Sequence, residues 1–533
     1  MTLSSSRLLF IDCQTTGMRP SVGSLLEMAW GWGQADRDSL DFLRSELVQL
    51  PEGQEIPRAV KDLTGIQNWD LAKAISQSQL LQNFLADFQV QDQKALAIIH
   101  YGQFEKPFLQ DLFHSQSELE NLPFEIICSQ KIAKKLLPQL PSRNLRGLAG
   151  YFGTPIGELK RAASHVQATF QIWQGLTQEL KSQGVQTFEE LQAWLAETKK
   201  TPSQVRYEYR IEKETRLKLP STPGIYRMKA KSGDILYVGK ATSLKNRVNS
   251  YFRGKKGRDR KKLEMLTQVW DLEIVQTATS LEAALLENDE IKRLDPPYNI
   301  SLKAKDRSLR FFSKNFESVS SAQNEAHPIG PFRPQGSLDQ LKILEKSLKD
   351  GIFYPLFYRP IPEPLLKEGF EIFCTQQGLT REKLSTFRSL LALGSCFYRK
   401  KRKLEKNEIL LEPDEDIEIS DEREKEEELE LTAQEVALKF ERLFCRSGES
   451  LWKSRCLTRL LNAEISWESE IGWKSLQFRN GRMSFESSEK RSSPFFPWQN
   501  LGISDYDRMS ILWSEISRRP HRILSFWSEQ KFN

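Results

Sequence analysis

Between residues 223 and 251 the chain spells out a strand, a turn, a second strand and a helix with almost no spare residues, and few folds accept that order so tightly drawn. Pro223-Gly224-Ile225-Tyr226 begins a strand-like run and Ser232-Gly233-Asp234 supplies a turn. Ile235-Leu236-Tyr237-Val238-Gly239-Lys240 reads as the partner strand. The hairpin places Tyr226 and Tyr237 at comparable depth on adjacent strands. A helix capped by Thr242 or Ser243 should follow, with Leu244, Arg247, Val248 and Tyr251 on one face. An arginine inside an apolar stripe either snorkels to the edge or acts there, and the spacing leaves both open.

A second helix, Leu281–Leu294, opens on the capping-box pattern Thr279-Ser280-Leu281-Glu282. At about 100° per residue, Ala283, Ala284, Ile291 and Leu294 share roughly one third of the circumference, with Glu287 in their middle and Glu290 at the edge. Glu282, Asp289, Lys292 and Arg293 lie on the other side. A carboxylate turned toward the packed face costs several kcal/mol unless a cation or donors compensate it, and a divalent metal is the natural compensator. The helix stops at Asp295-Pro296-Pro297, and Tyr298-Asn299 follows.

Charge is unevenly placed. The 533 residues carry 77 Lys+Arg against 71 Asp+Glu, a net +6. Residues 205–310 alone hold 24 basic and 14 acidic side chains, so the remainder is net acidic. Such concentration is the electrostatic footprint of a nucleic-acid binder. Within it Arg253, Lys255, Lys256, Arg258, Arg260, Lys261 and Lys262 fall in ten residues. That run reads as a solvated loop or as a phosphate-gripping one.

Six scattered cysteines without a C-x-x-C pair exclude a disulfide scaffold or zinc ribbon of the usual spacing and suit a reducing, cytoplasmic setting. Five dispersed histidines offer no histidine-based metal site. Neither a membrane span nor a secretion signal is read, and no small-molecule cofactor is expected.

The hairpin segment resembles the GIY-YIG nuclease domain in the version found in excinuclease ABC protein C and the stand-alone excinuclease Cho. The resemblance rests on Gly224-Ile225-Tyr226, Tyr237-Val238-Gly239, Lys240, Arg247, Tyr251-Phe252, Glu287-Asn288 and Pro297-Tyr298-Asn299. It implies hydrolysis of one DNA strand with a single Mg²⁺ or Mn²⁺ held by Glu287. It also implies charge stabilisation by Arg247 and Lys240, and Tyr237 as the group that orients or deprotonates water, with Tyr226 as second choice. Tyr251 and Asn299 would complete the hydrogen-bonded surroundings of the site.

Residues 1–195 alternate strands and helices; Leu8-Leu9-Phe10-Ile11 and Ala95-Leu96-Ala97-Ile98-Ile99 are short apolar runs. Phe10-Ile11-Asp12-Cys13-Gln14-Thr15-Thr16-Gly17, Leu26-Glu27-Met28-Ala29, Leu63-Thr64-Gly65-Ile66 and the segment from His100 to Leu109 are similar to the DEDDh 3′–5′ exonucleases of the proofreading epsilon family. That likeness implies an RNase H-like fold. At the positions where the family places four carboxylates and a histidine, this chain has Asp12, Gln14, Glu105, His165 and Lys160. Four negative charges fall to two with a lysine nearby, which implies a degenerate, inactive exonuclease site.

The whole reads as an α/β multidomain chain: an RNase H-like exonuclease fold at 1–195, a linker at 196–215, a small α/β GIY-YIG domain at 216–312, an extension at 313–400 resembling that of excinuclease ABC protein C, an acidic loop at 401–432 and an α+β region at 433–533. In the last, Leu476–Phe485 alternates around Asn480-Gly481 as a hairpin should, and Glu435–Arg446 reads as an amphipathic helix with a faint likeness to the motif that binds excinuclease ABC protein B. The C-terminal third lacks the cysteine cluster and helix-hairpin-helix signature of full-length excinuclease ABC protein C. The expected function is a metal-dependent single-strand incision 3′ to a lesion in nucleotide excision repair. Double-stranded, damaged DNA and excinuclease ABC protein B are the expected partners. A structure-specific nuclease on branched or recombining DNA, or a non-catalytic DNA-binding scaffold, fits the same residues.

Overall fold

The structure, a computed structural model, describes residues 1–88, 95–116, 121–154, 159–197, 207–253, 259–299, 307–357, 361–408, 431–469, 472–479, 482–484, 498–518 and 525–528. Several expectations lie outside these residues: the polar break Thr198–Ser203, the basic side chains Lys255, Lys256 and Arg258, residues 409–430 of the acidic run, and Asn480-Gly481. The chain divides into two compact units, one of residues 1–283 and 294–300 and the other of residues 284–293 and 301–533.

The first unit contains a five-stranded sheet of β1 (Leu8–Thr15), β2 (Leu25–Gly33), β3 (Phe42–Leu47), β4 (Ala95–Ile99) and β5 (Phe124–Cys128), in the order β3-β2-β1-β4-β5. Strands β1 to β3 are antiparallel, whereas β4 runs parallel to β1 and β5 parallel to β4. Both faces are covered, so β1 and β2 read as nearly unbroken apolar runs. Alternation then sorts their side chains. Leu8 and Phe10 meet Phe170, Trp173 and Leu176 of the helix Ala162–Ser182, while Leu9 and Ile11 join Phe84 and Phe113 of the helices Gln77–Asp87 and Gly102–Gln116. This is the RNase H-like layering expected for residues 1–195.

A smaller sheet follows, built from β6 (Gly224–Lys229), β7 (Ile235–Ala241) and β8 (Asp271–Gln276), antiparallel in the order β7-β6-β8. The third strand corrects the hairpin reading. It makes β6 central, so Tyr226 is fully buried while Tyr237 on the edge strand is only half-buried. The helix Leu244–Phe252 is capped by Ser243, whose hydroxyl accepts from the Asn246 N–H (3.4 Å). The basic run is not one loop. Asp259 caps a helix Arg260–Gln268 that takes up Arg260, Lys261 and Lys262.

That helix packs against Leu145–Phe152 of the exonuclease-like region, an approach that needs glycine at 150: a Cβ there would lie 2.4 Å from Oε1 of the buried Gln268. Tyr209, Arg210 and Ile211 of the expected linker pack as well. Ile211 is buried in the small domain's core, and Arg210 donates to the Tyr151 hydroxyl (2.6 Å) beneath the Trp270 ring.

The second unit has a three-stranded sheet, β9 (Arg310–Phe312), β10 (Val319–Ser320) and β11 (Ile329–Phe332), ordered β10-β9-β11, and the helices Ser337–Asp350, Glu363–Gln377, Phe387–Glu408 and Ala433–Leu460. Phe370, Phe373, Phe440 and Phe444 fill its core. The two longest helices touch backbone to backbone, since a Cβ on Gly448 would lie 2.2 Å from the Gly394 carbonyl oxygen. The expected amphipathic helix is present and longer than read, with a capping box of Thr432 and Glu435 at its start. A four-stranded sheet, β12 (Ala463–Ser469), β13 (Gly472–Arg479), β14 (Arg482–Ser484) and β15 (Ser525–Ser528), includes the expected hairpin, with Phe478 opposite Met483. A helix Ile503–Arg518 lies between β14 and β15 in sequence. No helix among the described residues is long and apolar enough to cross a membrane.

Candidate active site

Three phenols meet above the small sheet. Tyr226 of β6, Tyr237 of β7 and Tyr251 of the helix Leu244–Phe252 have ring centroids 6.0 to 6.3 Å apart. The Tyr226 hydroxyl donates to that of Tyr251 at 3.0 Å. Gly239, opposite Tyr226 across the ladder, leaves the space this ring occupies, because a Cβ there would fall 2.4 Å from the phenol oxygen. Burial above all, then the neighbouring phenols, push the Tyr226 pKa well above the ordinary value. The Arg247 guanidinium lies 5.5 Å from the Tyr251 ring centroid, and Arg247 is half-buried. Lys240, at the end of β7, is exposed.

The Asn299 side chain closes a two-bond clasp on the backbone next to Tyr237. The Val238 N–H donates to its carbonyl oxygen (2.9 Å) and its amide donates back to the Val238 carbonyl (2.8 Å). Both ends of the amide therefore face β7, and Asn299 is buried. Beside it, the Tyr298 N–H donates to the Leu236 carbonyl.

Glu287 sits on the helix Ser280–Leu294, whose Glu282 N–H is capped by the Thr279 hydroxyl at 3.1 Å. The packed face of this helix is broader than the apolar periodicity indicates. Asn288 is fully buried, and Glu290, expected at the edge, is buried and accepts from Arg293 at 2.9 Å. Glu287 is half-buried instead of central. The difference comes from the opposite face, where Asp289 accepts two bonds from Arg508 and Lys292 reaches Asp507.

In the exonuclease-like region the predicted positions also converge, around Asp12. Gln14 donates to Asp12 Oδ2 (3.2 Å), and His165 Nδ1 lies 3.2 Å from Asp12 Oδ1 while its Nε2 faces the Leu159 carbonyl at 3.3 Å. Burial opposes charge on this ring, but Asp12 and the carbonyl outweigh it and hold the His165 pKa above the ordinary value. Nε2 thus faces an acceptor, whereas Nδ1 lies between the Asp12 carboxylate and the Gln14 amide nitrogen, 3.1 Å away. Glu105 is buried; burial first, then Asp12, push its carboxyl well above the usual carboxylate range. Lys160 is half-buried, its alkyl chain running past Gly65. No group of three or more carboxylate, histidine or cysteine side chains with metal-holding geometry occurs among the described residues.

Sequence reasoning missed Glu264, the one acid of the helix Arg260–Gln268. It accepts from Asn144 and from the Tyr298 hydroxyl (2.6 Å) and lies 3.9 Å from Arg146. Its place among basic residues was a visible signal; its partners, Asn144 and Arg146 more than a hundred residues earlier and Tyr298 34 residues later, were not.

Fold and side-chain geometry together define a small α/β domain whose one end gathers phenols and a guanidinium. Residues 222–300 match the family described as the UvrC-like GIY-YIG domain. Along a longer stretch, the chain is 29% identical over 346 residues to a putative bifunctional exonuclease/endonuclease protein of Mycobacterium tuberculosis, an alignment covering 62% of this chain and 51% of that one. It is 44% identical over 118 residues to the UvrABC system protein C of a Thermoanaerobacter species, covering 22% of this chain and 18% of the relative. Among solved structures, the GIY-YIG N-terminal endonuclease domain of UvrC from Thermotoga maritima, bound to its catalytic divalent cation magnesium, is 33% identical over 16% of this chain and 93% of its own length, with a TM-score of 0.15. The chain thus joins an exonuclease-like region to a UvrC-like GIY-YIG domain, and it spans about half or less of the length of the curated relatives it matches.

Proposed function

We propose that the protein is a metal-dependent DNA endonuclease that makes a single-strand incision, 3′ to a lesion in nucleotide excision repair. The observation that carries this reading is the convergence of Tyr226, Tyr237, Tyr251 and Arg247 within the stretch that matches the GIY-YIG family.

The three phenols take different roles by depth. Tyr226, fully buried and with its pKa driven up, is a fixed donor to Tyr251 and a poor base. Tyr237, half-exposed on the edge strand, is the one placed to orient or deprotonate the attacking water, a step the cationic surroundings favour. Arg247 and Lys240 offset charge gathering on the phosphate in the transition state. Glu287 fits a hard divalent ion such as Mg²⁺ or Mn²⁺: it is a single, partly exposed carboxylate, and such ions keep several waters and need only one or two protein oxygens. The ion, when bound, polarises the scissile phosphate and stabilises the leaving oxygen.

The exonuclease-like region is proposed to be catalytically silent and to aid DNA or partner binding. Asp12 is paired with the ring of His165, Gln14 stands where the family has an acid, and burial disfavours the charged form of Glu105, so the region offers fewer charges than two divalent ions need. Damaged duplex DNA and excinuclease ABC protein B are the proposed partners, and the proposed setting is the cytoplasm.

Incision of an end-labelled duplex carrying one bulky adduct, with flap and junction duplexes alongside, tests the reading. Glu287→Ala should lower Mg²⁺-dependent cutting by roughly 100-fold or more, as loss of several kcal/mol of charge stabilisation requires. Undiminished cutting by that variant would refute the assignment, and preference for flaps or junctions would move the substrate class to branched DNA.

A further inference from the structure

Glu264 is a carboxylate shared between two parts of the first unit. On one side Asn144, the N-cap of the helix Leu145–Phe152, donates its amide to Oε2 while its own carbonyl oxygen caps Gly147 (2.9 Å); Arg146 of the same helix approaches Oε1 at 3.9 Å. On the other side the Tyr298 hydroxyl donates to Oε1 at 2.6 Å and also takes a hydrogen bond from Gln268. Ser142 adds a backbone bond to the Thr267 hydroxyl (2.9 Å), and Gly150 seats against Gln268. Tyr298 in turn bonds the Leu236 carbonyl, and its neighbour Asn299 clasps Val238, so the strand segment flanking Tyr237 is held at both sides.

Resting on the endonuclease reading above, we propose that Glu264 is a positioning residue for that site, anchored from the exonuclease-like region by Asn144 and Arg146 and passing its hold to β7 through Tyr298 and Asn299. The exonuclease-like region then has a use that needs no exonuclease chemistry: it is a brace for the phenol that faces the water. Burial first, then Glu264, keep the Tyr298 hydroxyl protonated and hence a donor at any working pH.

The test uses the full chain. Glu264→Gln keeps size and removes the charge that draws Asn144, Arg146 and Tyr298 together. Asn144→Asp keeps the helix cap, since Asn and Asp cap equally well, but replaces the donor with a second carboxylate. Each variant should lower kcat for incision about 10- to 100-fold with KM for DNA within about twofold, because a misplaced catalytic group slows chemistry without touching the binding surface. The double variant should be little worse than the worse single one, the sign of a shared pathway. Hydrogen exchange at the Val238 amide should speed up in all three. Wild-type kcat with unchanged Val238 exchange in Glu264→Gln would overturn the proposal, as would losses that multiply in the double variant. If the unaltered protein cut none of the DNAs, the endonuclease reading would fall, and Val238 exchange would still decide for or against the brace.

Discussion

A buried and a half-buried histidine of the exonuclease-like region respond to pH in opposite directions. Burial holds the His100 pKa down at about 4, with its Nδ1 bonded to the Ser129 hydroxyl at 2.9 Å. Between the ordinary value of 6.5 and that lowered one, the unfolded chain takes up a proton that the folded chain refuses, so stability falls as pH falls. The shift corresponds to on the order of 3 kcal/mol. His165 has the other sign: its raised pKa gives stability that is complete below 6.5 and lost as pH rises through the folded value. Urea unfolding from pH 4.5 to 8.5 should show both limbs, and His100→Asn should flatten only the acid one. An acid limb equally steep in the variant would count against the assignment. The exchange of acids for Gln14 and His165 was legible in the sequence. The upward push on the Glu105 carboxyl was not, because it depends on burial and on the approach of Asp12, which no local pattern encodes. The phenols were likewise legible by spacing, but their unequal depth required β8, a strand with three exposed polar positions and no strong apolar run.

At the scale of elements, ion pairs between residues far apart in sequence organise the second unit. The Asp507 side chain is 0% exposed and receives Arg307 through two bonds (2.7 and 2.8 Å), Lys292 at 2.9 Å and Arg333 at 3.3 Å. Burial alone would raise its pKa, but Arg307 and Lys292 hold it below the ordinary value. Removing one member of a buried ion cluster leaves the others uncompensated, which typically costs about 3–5 kcal/mol. Asp507→Asn should therefore lower the stability of this unit by that amount in chemical denaturation of the full chain; a loss under about 1 kcal/mol would show the cluster to be well solvated. None of this was legible beforehand. Arg307 and Asp507 are 200 residues apart, and charge pairing at that separation leaves no periodic trace, whereas the helix Ala433–Leu460 announced itself through its apolar spacing and its cap.

For the molecule as a whole, the basic excess of residues 205–310 should appear as salt sensitivity. Arg260 and Lys261 are exposed at the start of the helix Arg260–Gln268, outside its contact with Leu145–Phe152. If both grip phosphates, the double variant Arg260→Gln/Lys261→Gln should reduce the slope of log affinity against log salt by about 2, since each phosphate contact contributes about 0.9. Filter binding to an undamaged duplex between roughly 50 and 200 mM salt reads this directly. An unchanged slope would place the DNA path elsewhere.

The Gly394–Gly448 contact carries a consequence for how such a chain can vary over evolution. The two helices meet with no side chain between them at this point, so their spacing here is set by backbone contact alone. A side chain at either position would have to push the two helices apart, so neither glycine is free to drift in composition.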